Sequence, residues 1–232
     1  GRARGPAQPA RSLSYRRPRA YDGRMPLEIT RLHLGSMGGG AWPVHGFVVT
    51  HPGGAVLVDT GAGGPQRVLD DQQVVNRSVA DALAELDMSP ADIGLVINTH
   101  LHFDHCGQNA VFRHAPHYVQ RAELDRAKRE SPQLWEWFDW MNARWELLDG
   151  DAEVLPGLEV IATPGHTAGH QCVVVRGAGD AFDLLVGDAA YTPQVYADPA
   201  SDKLPPGQAS DVPAWRDSMR RIHALDPDRV HF

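Results

Sequence analysis

The chain has little cysteine. Cys106 and Cys172 are the only two in 232 residues, no CxxC motif occurs, and two thiols do not make a disulfide framework. That usage fits a reducing compartment. Long apolar runs are also missing. A helical membrane span needs roughly 18 consecutive apolar residues, and the longest stretches here, around 46–50 and 55–58, fall far short. Basic charge is in deficit, with 22 Lys and Arg against 29 Asp and Glu and a formal net charge of -7, which argues against nucleic acid as a partner. There is no short-period repeat of the solenoid kind.

The first 24 residues depart from this composition. They carry seven arginines against a single acid, Asp22, with no apolar core of a signal peptide. Residues 1–24 therefore read as a disordered basic leader, and 25–232 as the folded domain, placed in the bacterial cytoplasm. The 232-residue length and 42% apolar content suit one large domain or two similar halves around a substantial core.

What is abundant is histidine, twelve in all, several in one short cluster. Residues 27–34 alternate as a strand and lead into a glycine-rich loop. Residues 45–50 and 55–59 flank His51-Pro52-Gly53-Gly54 and predict a hairpin. Residues 78–86 place Val79, Leu83 and Leu86 at helical spacing. Further strands are expected over 93–98, 118–120, 158–162, 171–175, 182–186 and 229–232, with helices over 121–130 and 212–225. Residues 134–148 read as a tryptophan-rich helix, its face first a core or dimer surface and alternatively the wall of an acyl-chain pocket. The acids of 121–130 read as a solvated helix face, and 192–213 as a long loop of the functional kind. Two groups of strands with helices after each predict two packed sheets with helices outside, an α+β fold.

His100-x-His102-x-Asp104-His105 follows a buried strand. Alternate residues of extended chain share one side, so His100 and His102 can grip one cation together. A bend towards a helix then turns Asp104 and His105 to a second position a few Å away. Imidazole and carboxylate are the donors zinc accepts at catalytic sites. Gly165 allows a tight turn that aims His166 inward, while His170 in the same loop reads as structural. Asp188 ends an apolar strand and can bridge two ions with its two oxygens. Asp59 ends another strand and reads as a support that accepts hydrogen bonds from the ligand loops. The Cys106 thiol reads as packed rather than ligating.

The segments THLHFDH, TPGHT and GDA, with VDTG upstream, resemble the metallo-β-lactamase superfamily over nearly all of 27–232. The resemblance implies an αββα sandwich with two metal ions at one edge, most often Zn2+, with Co, Mn or Fe as alternatives. It implies His100, His102 and His166 on one ion, Asp104 and His105 on the other, and Asp188 between them. Residues 100–109, 118–124, 164–171 and 188–191 narrow the likeness to the N-acyl-homoserine lactonase branch. That branch implies a small acylated lactone as substrate, a tyrosine at Tyr191 hydrogen-bonded to it, and Asp104 relaying a proton. The family closes its second metal site with a histidine near the fold's end, two residues after a strand-ending Phe. The chain stops at Phe232. His231 should face away, so the last ligand is expected beyond Phe232. A homodimer remains open. So do a thioesterase of the glyoxalase II kind, an organophosphate hydrolase, a β-lactamase, a diiron redox relative and a metal-poor binding protein.

Overall fold

The computed structural model describes residues 27–130, 139–140, 142–177 and 180–232. The expected leader, 1–24, lies outside them. The chain begins as a meander. β1 (Glu28–Met37) and β2 (Trp42–Thr50) pair antiparallel, and β2 turns at His51-Pro52-Gly53-Gly54 into β3 (Ala55–Val58), which is the expected hairpin. Gly54 takes φ +118 there, a conformation that favours glycine.

From β3 the pairing becomes parallel. β3 lies beside β5 (Ile93–Ile97), β5 beside β6 (His117–Gln120), and β6 beside β7 (Trp145–Leu148). The short β4 (Val75–Asn76) covers the far edge of β1, giving the order β4-β1-β2-β3-β5-β6-β7. Helices α1 (Gln66–Asp71) and α2 (Val79–Ala84) lie in the β3–β5 crossover, and α4 (Arg121–Glu130) follows β6. Between β5 and β6 sits the single turn α3 (Phe103–Cys106).

The second sheet holds β8 (Ala152–Leu155), β9 (Leu158–Ala162), β10 (Gln171–Arg176) and β11 (Phe182–Leu185), all antiparallel. β12 (Arg229–His231) joins β11 in parallel after α5 (Pro193–Ala197) and α6 (Val212–Leu225).

Side-chain alternation shows the layers. Phe47, Val49, Val56, Val58 and Ile97 of the first sheet meet Leu158, Val160, Val173, Val175 and Leu185 of the second in one buried cluster. The outward positions Val48, Leu57 and Val96 pack on Val79, Ala82 and Leu83 of α2. On the other side, Ile161, Cys172, Val174 and Leu184 pack on Trp215, Met219 and Ile222 of α6. The architecture is therefore helix, sheet, sheet, helix, as expected. Each such aliphatic side chain taken fully out of water contributes roughly 1.5–3 kcal/mol. Among the described residues, no helix is long and apolar enough to cross a membrane.

Two expectations need correction. Residues 145–148 are not helical: they form β7, in register with β6 through His117↔Trp145 to Gln120↔Leu148. The helical spacing of the tryptophans was overridden by an open parallel edge that needed a partner for its backbone. Of the rest of the expected helix, 134–138 and 141 lie outside the described residues, and 139–140 and 142–144 are not helical. Trp140 and Trp145 pack edge-on against buried His117, at 5.1 and 5.6 Å between rings, rather than on the cavity described below. The loop over 192–213 contains α5, capped where Thr192 accepts from the Val195 N–H.

Candidate metal centre

Four strands end at one edge and deliver the predicted residues together. β5 is buried for nearly its whole length and opens into Asn98-Thr99-His100-Leu101-His102, where His102 starts α3. Its parallel neighbour β3 ends at Asp59, whose φ of +58 turns the carboxylate under this loop. β9 ends in the Gly165 turn that carries His166, and β11 ends through Gly187 into Asp188.

Alanine could not replace Gly165. Its φ is +137, and a Cβ would collide with the backbone of Trp215 at the start of α6. The Gly165 carbonyl accepts the N–H groups of Ser210 and Asp211, which pin the turn to that helix start.

Two donor groups result. His100, His102, His166 and Asp188 form one, and Asp104, His105 and Asp188 the other; within each group the donor atoms lie within 4.8 Å of one another. In the first, His100 Nε2, His102 Nδ1 and His166 Nε2 are mutually 2.9–3.2 Å apart. Asp188 Oδ2 lies 3.3 Å from His166 and 3.7 Å from His100. Its other oxygen, Oδ1, lies 3.3 Å from His105 Nε2, and Asp104 Oδ2 lies 3.5 Å from that same nitrogen.

The outer hydrogen bonds set which ring nitrogens carry protons. His166 Nδ1 faces the Gln208 carbonyl at 3.1 Å and must donate to it, leaving a lone pair on Nε2. The Thr99 hydroxyl donates to Asp59 Oδ2 at 2.7 Å, so it accepts from His100 Nδ1 at 3.1 Å. His100 Nε2 then also carries a lone pair. His105 Nδ1 donates to Asp59 Oδ2 at 2.8 Å. The 3.2 Å approach of His100 Nε2 to His166 Nε2 therefore sets lone pair against lone pair, beside the Asp188 carboxylate. A divalent cation fits that donor chemistry.

The electrostatics differ between the two groups. Burial, then the neighbouring imidazoles, push His100 far down and His102 to about 3, so these rings stay neutral as ligands must. At His105 burial opposes charging, but Asp188, Asp104 and Asp59 outweigh it and favour positive charge there. Burial would raise Asp188 too, yet His105 and His166 hold it ionised.

The remaining residues sort as follows. Tyr191 borders the site, its ring 5.6 Å from that of His166, but its hydroxyl donates to the Gly207 carbonyl at 2.9 Å. His170 joins neither group, and its Nδ1 pairs with the Thr163 hydroxyl at 2.8 Å. Cys106 is buried with Leu101 and Val119, where burial raises its thiol. His231 lies elsewhere, 3.1 Å from Asp183.

Two residues were missed by sequence reasoning. Gln208, buried in the long loop, orients His166 through its carbonyl while its side-chain amide donates to the Asp188 and Ala189 carbonyls. Glu123, read as part of a solvated face, is fully buried and accepts the Leu101 and Gly169 N–H groups. No local pattern marks either one. Above the site opens a cavity of about 840 Å³, walled by Met37, Trp42, Phe47, Phe103, Tyr191 and Phe232.

Residues 39–232 match the description of the Metallo-beta-lactamase superfamily. The chain belongs to that superfamily. Among superfamily members, it is 32% identical over 169 residues to an N-acyl homoserine lactonase of Bacillus sp, covering 66% of each chain. It is 33% identical over 210 residues to the N-acyl homoserine lactonase AttM of Rhizobium radiobacter, covering 79% of this chain and 76% of that one. The chain thus spans about two thirds of the length of the Bacillus relative. In fold it is similar to a quorum-quenching N-acyl homoserine lactone lactonase, with TM-score 0.75, 24% identity, and 90% and 92% of the two chains covered.

Proposed function

We propose that this chain opens the lactone ring of N-acyl homoserine lactones at a centre of two divalent cations, zinc foremost. The observation that carries this reading is the division of Asp188. One of its oxygens faces His100 and His166 and the other faces His105, beneath a cavity with room for an acyl chain. Support comes from the relatives above, which are named for that activity.

Two divalent ions, when bound, would lower the pKa of a water between them and polarise the ester carbonyl. The chain's own groups do the rest. Tyr191 turns its hydroxyl hydrogen from the Gly207 carbonyl to the lactone oxygen, stabilising charge as it develops. Asp104 is buried, and burial together with the charge of Asp188 raises its carboxyl against the pull of His105. Placed 3.5 Å from His105 Nε2, it can take a proton from the attacking water and pass it to the ring oxygen as the ester C–O bond breaks. The water oxygen stays on the lactone carbonyl carbon, and the product is an acyl-homoserine with a free carboxylate and a free hydroxyl.

The test pairs elemental analysis with a pH-indicator assay over lactones, thioesters, phosphotriesters and nitrocefin. Near two metals per chain and turnover greatest on acylated lactones are expected. Asp188→Ala should lose both metal and orders of magnitude in rate. A chain with two metals that prefers thioesters or phosphotriesters moves the reading to another hydrolase of the fold. A chain without metal sinks it.

A further inference from the structure

The two loops that carry the imidazoles come from different sheets, so something must hold them in register. His100 and His102 follow β5 of the first sheet, while His166 follows β9 of the second. No covalent link joins them. Between the loops lies the first turn of α4, and one side chain of that turn reaches both.

Glu123 Oε1 accepts the N–H of Leu101 at 2.9 Å, the residue between His100 and His102. Glu123 Oε2 accepts the N–H of Gly169 at 3.1 Å, in the loop that carries His166. Arg126 closes the arrangement by donating Nη2 to Oε1 at 2.6 Å and Nε at 3.2 Å. Glu123 and Arg126 are both buried. Position 169 must be glycine for this approach, because a Cβ there would overlap the backbone and Cβ of Glu123. Burial alone would raise the Glu123 carboxyl. The Arg126 hydrogen bonds and charge, with the Leu101 N–H, outweigh it and hold the group below the ordinary glutamate range. A buried ion pair of this sort is poor evidence for stability as such, since desolvation offsets much of the attraction. It does supply fixed geometry, because a carboxylate with four donors on it has no freedom to turn.

We infer that Glu123 is a positioning residue: its carboxylate clamps the His100–His102 loop to the His166 loop, so that three imidazoles from two sheets meet at cation-binding distance. The inference rests on the proposed metal centre. Glu123 touches neither substrate nor cation, and its action runs through the backbone N–H groups of Leu101 and Gly169.

The test compares zinc affinity by chelator competition, and the zinc-induced gain in Tm, for the wild-type chain and Glu123→Gln. An amide offers one acceptor where two are needed and points a donor at a donor. Zinc affinity should fall about 10- to 100-fold, the scale for losing a group that orients metal ligands. The gain in Tm on adding zinc should shrink accordingly. Asp125→Asn, an exposed neighbour on the same helix, should change neither. A merely structural role predicts a lower Tm with and without zinc but an unchanged zinc-induced gain, and that result overturns the inference. If Glu123→Gln does not fold, Glu123→Asp carries the test, because it keeps the charge but its shorter side chain cannot reach both the Leu101 and Gly169 N–H groups. Wild-type zinc affinity in that variant overturns the inference equally. A wild-type chain that takes up no zinc removes the metal centre and this inference together. A loaded wild type matched by an equally tight Glu123→Gln removes this inference alone.

Discussion

His105 donates its Nδ1–H to Asp59 Oδ2 at 2.8 Å, joining α3 to the end of β3. The same carboxylate takes the Thr99 N–H at 2.8 Å and the Thr99 hydroxyl at 2.7 Å. Through Thr99 it sets the proton on His100, and directly it sets the proton on His105. One aspartate thereby orients an imidazole in each donor group. Its backbone sits at φ +58, a conformation Asp tolerates better than most residues.

Asp59→Asn keeps the shape and removes one acceptor. One of its three donors would then face an NH2 group. Metal affinity should fall about 10- to 100-fold, more at the His105 site, where the contact is direct. A stepwise zinc titration reads the two sites separately. Two unchanged steps would show that Asp59 does not support the ligands.

Tyr191→Phe should leave metal content intact and lower kcat by roughly 100- to 1,000-fold, the range for losing one donor to developing negative charge. Because the hydroxyl also holds the Gly207 carbonyl, the 198–211 segment should become easier to cleave by protease. Full kcat in this variant would assign Tyr191 to holding that segment alone.

Gly165→Ala should destabilise the fold by on the order of 2–4 kcal/mol, since it combines a left-handed φ with a collision against Trp215. Thermal unfolding checks it. A Tm equal to wild type would mean that α6 moves aside at little cost.

Acid should weaken the fold through buried histidines outside the metal centre. Burial pushes His117 from 6.5 down to about 4, against the raising effect of its hydrogen bond to the Ala115 carbonyl. Between those pH values the unfolded chain binds a proton that the folded chain refuses. Stability is therefore complete above pH 6.5 and declines as pH falls towards 4. Urea unfolding at pH 7 and pH 4.5, with chelator present throughout so that metal release adds nothing, should show this loss. His117→Phe should flatten it. An equal decline in that variant would place the acid sensitivity elsewhere.

Much of the candidate centre was legible because its donor residues announce themselves locally. His100, His102, Asp104 and His105 fall within one strand-to-helix turn, and the turn's chemistry needs no knowledge of the rest of the chain. His166 after Gly165, and Asp188 after an apolar strand, are legible for the same reason. The hairpin, the central strands and α6 follow from period-2 and helical spacing, which report burial wherever one face of an element is apolar.

Other features depended on partners distant in sequence. Trp145–Leu148 carries helical spacing, yet it became a strand because β6 offered a free parallel edge. The α4 acids look alike in sequence, and only the loops folded over Glu123 make it a buried clamp while Asp125 stays in water. Gln208 became an orienting group because its loop crosses beneath His166. Sequence alone thus determined which donor atoms this protein possesses and which strands carry them, because those properties are set by neighbours along the chain. Tertiary structure alone decided how the donors divide around Asp188 and what holds them there, because a distance between residues on different sheets exists only once the sheets have packed.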